Sequence, residues 1–140
     1  MKKKVRLTLI GRQSDEAGQE NVTELSADAE YYERNGSHYI LYEENGPETG
    51  CIQSVIKLKG GLLELIRKGS VNTRMIFEKG REHVTDYITP LGTLQLGIAT
   101  SLVYSKQSEG CLEIHTEYDL TDRGHILFHC NISIKIQDLV

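Results

Sequence analysis

Residues 51–104 read CIQSVIKLKGGLLELIRKGSVNTRMIFEKGREHVTDYITPLGTLQLGIATSLVY, and this stretch decides the fold. Turn residues divide it into five β-strands, with breaks at Gly60-Gly61, Gly69-Ser70, Gly80-Arg81 and Pro90-Leu91-Gly92. Because every connection is too short for a crossover helix, neighbouring strands must run antiparallel. The stretch therefore predicts an architecture, although it carries no catalytic or cofactor motif.

The flanking sequence continues the same pattern on both sides. Apolar and polar residues alternate over residues 3–12, which predicts a half-buried first strand. Strands are also predicted at residues 22–34 and 37–44, joined by the two-residue hairpin signal Asn35-Gly36. A last hairpin covers residues 111–136, with its turn at Asp122-Arg123-Gly124. The whole chain is therefore predicted to be all-β.

About ten strands result, which is at or above the usual size of one open twisted sheet. A single antiparallel up-and-down meander with one apolar face most simply closes into a β-barrel, because closure removes both sheet edges. A two-sheet β-sandwich is the alternative. At 140 residues, the chain is long enough to bury one core without staples, so residues 1–140 are expected to form a single domain.

Turn lengths predict which residues face each other across neighbouring strands, and hence which side chains share the apolar face. In the first hairpin and the central strands, the predicted pairs are Tyr31 with Ile40, Ala29 with Tyr42, Leu58 with Leu63, Ile56 with Leu65, Ser54 with Arg67, Leu65 with Met75, Phe77 with Val84, Met75 with Asp86, Ile88 with Leu94 and Asp86 with Leu96. In the last hairpin they are Thr121 with His125, Tyr118 with Phe128, Thr116 with Cys130, Ile114 with Ile132 and Leu112 with Ile134.

Charge and cysteine content exclude several classes of function. The formal net charge of −4 argues against broad binding to nucleic acid or to an anionic membrane. The three cysteines are widely spaced and form no CxxC pair, so neither a disulfide framework nor a zinc site is expected. The N-terminal apolar run is too short for a signal peptide, and no run approaches the roughly 20 residues that span a bilayer. We therefore expect a cytoplasmic protein with reduced thiols and no cofactor.

Three segments of the chain carry a family resemblance: IRKGSVNTRMIFEKG at 66–80, YITPLGTLQLGIAT at 87–100 and GCLEIHTEYDL at 110–120. The segment YYERNGSHYILYEE at 31–44 also fits. Together they resemble the YwiB-like family of small bacterial proteins of unknown function. The resemblance implies a calycin, lipocalin-like β-barrel over nearly the whole chain, and it implies no activity. Calycin barrels often bind small apolar ligands, but a fold does not determine a function.

Arg67 and Asp86 are the most informative candidate pair, because the predicted registers place both charges on the apolar face. One interpretation is a charged handle inside a ligand cavity, since such cavities are mostly apolar with a few placed polar groups. The other is a structural ion pair that closes one end of the barrel, because a buried arginine needs a partner in either case.

Other inward residues extend this candidate ligand-binding set, which comprises Arg67, Asp86, Thr73, Met75, Thr100 and Tyr118. A hydroxyl group inside the barrel could orient a ligand, although buried hydroxyls more often bond to nearby backbone or water. On the outer face, His115, Glu117 and His129 are residue types that bind zinc, but no third histidine or cysteine completes the set. Cys130 is expected to face inward as a small apolar residue, and no base is placed beside it.

Two functional hypotheses follow. The first is a non-enzymatic binding module that holds a small, mainly apolar molecule inside the barrel. The second is a filled barrel that acts as an interaction or scaffold domain. In this hypothesis the partner can be a second copy of the chain, and exposed residues such as Tyr39 and Leu127 form the contact. No catalytic residue and no metal ligand is assigned.

Overall fold

A computed structural model describes residues 2–46 and 50–139 of the chain. Ten antiparallel strands follow one another, and the described residues contain no helix. Their bounds are β1 Lys3–Ser14, β2 Glu20–Arg34, β3 Ser37–Gly46, β4 Gly50–Lys59, β5 Leu62–Gly69, β6 Thr73–Glu78, β7 Glu82–Thr89, β8 Gly92–Ser108, β9 Cys111–Asp122 and β10 His125–Asp138. The prediction of an all-β meander of about ten strands is confirmed. In the described ranges, no helix has the length and apolar character needed to cross a membrane.

The sheet closes on itself between the first and last strands. β1 pairs with β10 along ten residue pairs, from Val5 opposite Asp138 to Ser14 opposite His129. The strand order runs from β6 back to β1, then through β10 to β7. The result is a nearly closed barrel rather than a sandwich, and its two end strands are β6 and β7.

The seam between β6 and β7 is held by isolated contacts instead of a ladder. Among the described residues, one β-bridge joins Asn72 to Ile88, and the Thr85 hydroxyl donates a hydrogen bond to the Arg74 carbonyl. At the other end of the seam, Thr100 exchanges backbone hydrogen bonds of 2.9 and 3.1 Å with residues 80 and 81. The predicted pairs of Phe77 with Val84 and Met75 with Asp86 are therefore wrong.

The registers around the Asn35-Gly36 and Gly60-Gly61 turns are confirmed. Tyr31 lies opposite Ile40, and the β4–β5 hairpin forms all three of its predicted pairs, including Ser54 with Arg67. Leu65 lies opposite Met75, as the longer loop after Gly69 predicts. One predicted pair, Ala29 with Tyr42, does not form, because the β2–β3 ladder ends one pair earlier.

The β7–β8 register is wrong by one residue. Pro90 and Leu91 form a two-residue turn with Thr89 opposite Gly92, so Gly92 is not an extra bulge residue. Asp86 consequently lies opposite Gln95, Ile88 opposite Thr93 and Tyr87 opposite Leu94. Since side chains alternate along a strand, this slip moves Asp86 from the inner to the outer face, where it is exposed.

The last hairpin is shifted by two residues from its predicted register. A two-residue turn is followed by an irregularity between Ile126 and Phe128, and the ladder then pairs Cys130 with Tyr118 and Ile132 with Thr116. The individual predicted pairs are wrong, but beyond the irregularity the shift of two keeps the side chains from Phe128 onward on their predicted faces.

The core fills much of the barrel interior. Side chains from all the strands except β7 alternate into it, and the largest that are fully buried include Phe77, Leu7, Ile40, Ile52, Ile56, Leu63, Ile98 and Ile114. Burial of this apolar surface is the main force that closes the sheet.

Candidate functional site

A row of polar side chains crosses four neighbouring strands inside the barrel. Tyr42 on β3 lies opposite Ser54 on β4, Ser54 opposite Arg67 on β5, and Arg67 opposite Thr73 on β6. Tyr42, Ser54 and Thr73 are no more than 6% exposed. Directly opposed residues on adjacent strands have Cβ atoms roughly 5 Å apart, so the four side chains are near neighbours. We call Tyr42, Ser54, Arg67 and Thr73 the polar row.

The partner of Arg67 is Glu44, not Asp86. Arg67 Nη2 donates a hydrogen bond of 2.8 Å to Glu44 Oε2, and both side chains are about three-quarters buried, with 24% and 21% exposed. Burial lowers the pKa of Arg67, but its hydrogen bond and charge attraction to Glu44 outweigh burial and raise the pKa above its ordinary value. The predicted inward arginine with an acidic partner is present, while the predicted identity of that partner is wrong.

Glu44 was missed although the sequence contains the signal for it. His38, Ile40, Tyr42 and Glu44 alternate along β3, and the Asn35-Gly36 turn fixes Ile40 as inward-facing. Continuing that alternation by four residues places Glu44 on the same face as Tyr42. Asp86 is predicted as the partner only because the predicted register of β7 with β8 is wrong by one residue.

The Tyr42 phenol stays uncharged at neutral pH. Burial raises its pKa to about 12, and the negative charge of Glu44 acts in the same direction, against the opposing influence of Ser54 and Arg67. The row therefore holds three neutral hydroxyl groups and one positive charge, on Arg67, which Glu44 offsets.

Several buried polar atoms of the row have no hydrogen-bond partner among the described residues. They are Ser54 Oγ, Arg67 Nε and Thr73 Oγ1, and a fourth such atom, Thr100 Oγ1, lies on β8. Ser54 lies beside the Tyr42 phenol, but its oxygen makes no hydrogen bond of normal geometry. Leaving a buried donor or acceptor unsatisfied costs about 1–3 kcal/mol. Three such atoms within one row of neighbours mark this as a place where the protein presents unused hydrogen-bonding capacity.

A cleft in the barrel wall leads to this row. β2 and β3 both continue beyond Glu30 and Leu41, but the ladder between them ends at that pair. The cleft at this split has a volume of about 620 Å³. Its lining includes inward-facing Ala27, Ala29, Tyr42 and Ser54 as well as outward-facing Leu41 and Val55. Since both faces of the wall contribute, the cleft connects the surface with the Tyr42 and Ser54 end of the polar row.

The remaining candidates lie elsewhere in the interior. Thr100 on β8 is opposite Tyr118 on β9, which is opposite Cys130 on β10. The Tyr118 ring packs edge-on against Phe77, with ring centroids 4.8 Å apart, so Tyr118 belongs to a filled part of the barrel. Met75 packs against the core beside Leu65, one inward position beyond Thr73. Of the predicted set, the structure therefore brings together Arg67 and Thr73.

Cys130 is buried, and burial raises the pKa of its thiol to about 11. On the outer face, His115 contacts Ser133 Oγ at 2.9 Å and Glu117 Oε2 at 3.1 Å, whereas His129 contacts Asp119 Oδ1 at 2.6 Å. The two histidines thus have separate partners. Across residues 2–46 and 50–139, no group of three or more His, Cys, Asp or Glu side chains is placed to hold a metal ion.

Comparison with known proteins agrees with this architecture. The uncharacterized beta-barrel protein YwiB of Bacillus subtilis (strain 168) is 25% identical over 121 residues, covering 86% of this chain and 84% of the relative. The crystal structure of the ywiB protein from Bacillus subtilis superposes with a TM-score of 0.87 at 22% identity, covering 99% of this chain and 94% of that chain. The resemblance to YwiB-like proteins is confirmed. The family described as "Domain of unknown function (DUF1934)" matches residues 7–134, and the chain belongs to that family.

Proposed function

We propose that this protein is a non-enzymatic binding module that holds a small, mainly apolar ligand in its barrel, with the polar row as the anchor. The observation that carries the proposal is the set of buried Ser54, Arg67 and Thr73 atoms without a partner among the described residues, of which Ser54 lines the β2–β3 cleft. Buried polar groups in proteins are normally hydrogen-bonded, and ligand sites are mostly apolar with a few convergent polar groups. A bound molecule would supply the missing hydrogen bonds to these buried atoms and would occupy a site of the composition that ligand sites usually have.

The surroundings of the row favour an apolar ligand body. One inward position along the same four strands from the polar row lies an apolar row made of Ile40, Ile56, Leu65 and Met75. Inward positions on a strand are separated by about 6.7 Å, which is the length of a few methylene groups. Met75 is only partly buried, and a methionine side chain adapts its shape readily to a neighbour.

Binding without catalysis fits the protonation states inside the barrel. Burial raises the pKa of the Cys130 thiol to about 11, so the thiolate that a nucleophile requires is scarce at neutral pH. Tyr42 is held neutral, and the Arg67 and Glu44 charges are engaged with each other. We also propose a cytoplasmic location, because Cys51, Cys111 and Cys130 are all free.

Native mass spectrometry of the untagged protein, followed by solvent extraction, tests the proposal. We expect a species heavier than the bare chain by the mass of a small molecule. The double variant Arg67→Met/Glu44→Leu should lose that species while keeping the β-sheet circular dichroism spectrum. The matched control is Arg74→Met/Glu64→Leu, which removes an ion pair from the outer face of β5 and β6 and should retain the ligand. A bare chain in the wild type, with an empty extract, would contradict the proposal.

A second candidate function rests on exposed apolar residues at one end of the barrel. Alternate turns of an up-and-down barrel lie at the same end, and two of them present Leu91, Leu94, Ile126 and Leu127, with 36% to 100% of each side chain exposed. Such a surface favours self-association or contact with another protein. The same mass spectrum tests self-association, since a homo-oligomer would appear as a multiple of the chain mass. A strictly monomeric spectrum would count against self-association.

A further inference from the structure

We infer that the group bound at the polar row is an uncharged hydrogen-bond acceptor, such as the carbonyl of an amide or ester, carried on an apolar body. This inference rests on the proposed function and goes one step beyond it, from the existence of a ligand to its chemical class. It follows from the donors that the row offers and from the charge balance around them.

The unpaired atoms of the polar row include one that can only donate a hydrogen bond. Arg67 Nε carries a hydrogen and has no lone pair, so it can only donate. The hydroxyls of Ser54 and Thr73 flank Arg67 on either side as its cross-strand neighbours, and each can donate or accept. All three atoms are buried without a partner among the described residues. A ligand atom that engages Arg67 Nε must therefore be an acceptor, and the two flanking hydroxyls can turn their hydrogens toward the same group.

The charge balance excludes an anion. The single positive charge of the row, on Arg67, is already offset by Glu44 at 2.8 Å, and Tyr42 is neutral. A ligand carboxylate would bring a second negative charge next to Glu44 without a further cation to receive it. Removing such a charge from water is costly unless it is paired. A neutral carbonyl accepts the same hydrogen bonds without that penalty.

The cleft reinforces this selection. Its lining carries the carboxylates of Asp28, Glu30 and Glu43 against the ammonium of Lys4. Asp28 is paired with Arg6 at 2.8 Å, and Glu30 lies 3.9 Å from Lys2. These pairs leave no excess of positive charge that would draw an anion to the opening. At the polar row a cation would face the positive charge of Arg67, and the neighbouring carboxylate, Glu44, is already paired with Arg67.

Three probes with the same chain and different head groups test the inference: octanamide, octanoate and octylamine, at pH 7.5. Each is titrated into isotopically labelled protein, and backbone amide chemical shifts report both affinity and location. We expect octanamide to bind roughly tenfold more tightly than either charged probe, since only it matches the donors without an unpaired charge. Its largest shifts should fall on residues 41–45, 52–55, 66–69 and 72–75.

The variant Ser54→Ala/Thr73→Val separates binding from folding. Both changes remove a buried hydroxyl that has no partner among the described residues, so the melting temperature should stay the same or rise while octanamide affinity falls several-fold. Ser101→Ala removes an exposed hydroxyl and serves as the control for which affinity should not change. A fall in melting temperature of the double variant, with unchanged affinity, would assign the hydroxyls to the fold and overturn the inference.

Failure of the inference and failure of the proposed function give different results. If octanoate or octylamine binds more tightly than octanamide with shifts at the polar row, the barrel binds ligands and the uncharged-acceptor class is wrong. If none of the three probes shifts any amide, both the proposed function and the inference are overturned. If shifts fall only on the apolar turns around residues 91 and 127, the binding surface is the barrel end and both are again overturned.

Discussion

A single charged side chain, Arg67, determines much of the chemistry inside this barrel. An arginine pointing inward must bring an acidic partner with it, because an unpaired buried charge is too costly to keep. Glu44 provides that partner from two strands away, and the resulting pair holds β5 against β3 across β4. The pair leaves Nε uncommitted, so the same residue that ties three strands together also offers a donor to the interior.

Replacing Arg67 by alanine should destabilise the protein by about 2–4 kcal/mol, because Glu44 is then left mostly buried and unpaired. The double variant Arg67→Met/Glu44→Leu should recover much of that loss, since apolar side chains of similar size suit the surroundings. Urea unfolding of the two single variants and the double variant gives the coupling energy.

Arg6 and Asp28 provide the matched comparison, since they form an ion pair of the same length, 2.8 Å, on the outer face of β1 and β2. Because Arg6 is 48% and Asp28 75% exposed, replacing Arg6 by alanine should cost no more than about 1 kcal/mol. Equal losses for Arg67→Ala and Arg6→Ala would show that the inner pair is not held in a buried environment.

At the scale of single strands, predictability followed the contrast between the two faces of each strand. On β4 the inward residues Ile52, Ile56 and Leu58 are apolar and lie next to polar Gln53, Lys57 and Lys59, so turn length and face pattern agreed. On β7 the two faces are equally mixed: Val84, Asp86 and Ile88 on one, His83, Thr85 and Tyr87 on the other. Nothing in that pattern could arbitrate between a two-residue and a three-residue turn at Pro90.

The same contrast explains which parts of the candidate site could be predicted. Ser54, Arg67 and Thr73 lie on strands whose predicted registers, set by the Gly60-Gly61 turn and the loop after Gly69, are confirmed, and the structure buries them on the inner face as predicted. Asp86 lies on the strand with no facial contrast, and its placement failed. The β2–β3 cleft could not be predicted, because the alternation of β2 and β3 continues through residues 27–30 and 41–45, where the ladder between them has already ended. Sequence alternation reports which face is buried and does not report where two strands separate.

Gly69 is the last residue of β5 and lies opposite Ile52, at the end of the β4–β5 ladder away from the turn. We expect Gly69→Ala to be strongly destabilising. Its φ of +146° is unfavourable for any other residue, and an added Cβ would lie 2.2 Å from the backbone oxygen of Cys51. Since a backbone atom cannot turn aside as a side chain can, β4 and β5 would have to separate locally, with a loss of about 2 kcal/mol or more. Thermal and urea unfolding measure this loss. Gly11→Ala, where nothing lies within 4 Å of the new atom and φ is ordinary, should change stability little; a similar effect at both positions would refute the steric explanation.

The β6–β7 seam should be the part of the wall that opens first. β1 and β10 share ten laddered pairs, whereas β6 and β7 meet through one bridge and a side-chain hydrogen bond among the described residues. Local opening costs less where fewer backbone hydrogen bonds must break. Hydrogen exchange read by mass spectrometry should therefore show residues 73–78 exchanging at least about tenfold faster than residues 5–10. Equal protection of the two segments would mean that the seam is as firmly closed as the rest of the barrel.

At the scale of the whole molecule, closing ten strands into a barrel places ionisable hydroxyl and thiol groups in an environment that disfavours their charged forms. Burial raises the pKa of Tyr118, raises that of Tyr42 to about 12 and raises that of Cys130 to about 11. These groups lie on different strands, β3, β9 and β10, so their ionisation is a property of the closed barrel rather than of one hairpin. The barrel therefore holds these groups in their uncharged forms at neutral pH.

The free energy of unfolding should fall as pH rises from about 9 toward 12. In the unfolded chain Cys130 and Tyr42 lose their protons near their ordinary pKa values of 9.0 and 10.0, whereas the folded protein holds those protons until about 11 and 12. The unfolded state then binds fewer protons than the folded state, so each group removes up to about 1.4 kcal/mol of stability per pH unit in its window. Below pH 9 the contribution is fully present.

Urea unfolding at pH 7, 9, 10 and 11 measures the slope. Tyr42→Phe should flatten the part of it above pH 10, while Tyr104→Phe, at an exposed position, should leave it unchanged. Stability that stays constant between pH 9 and 11 would show that these groups titrate alike in both states, and that the barrel does not shield them from solvent.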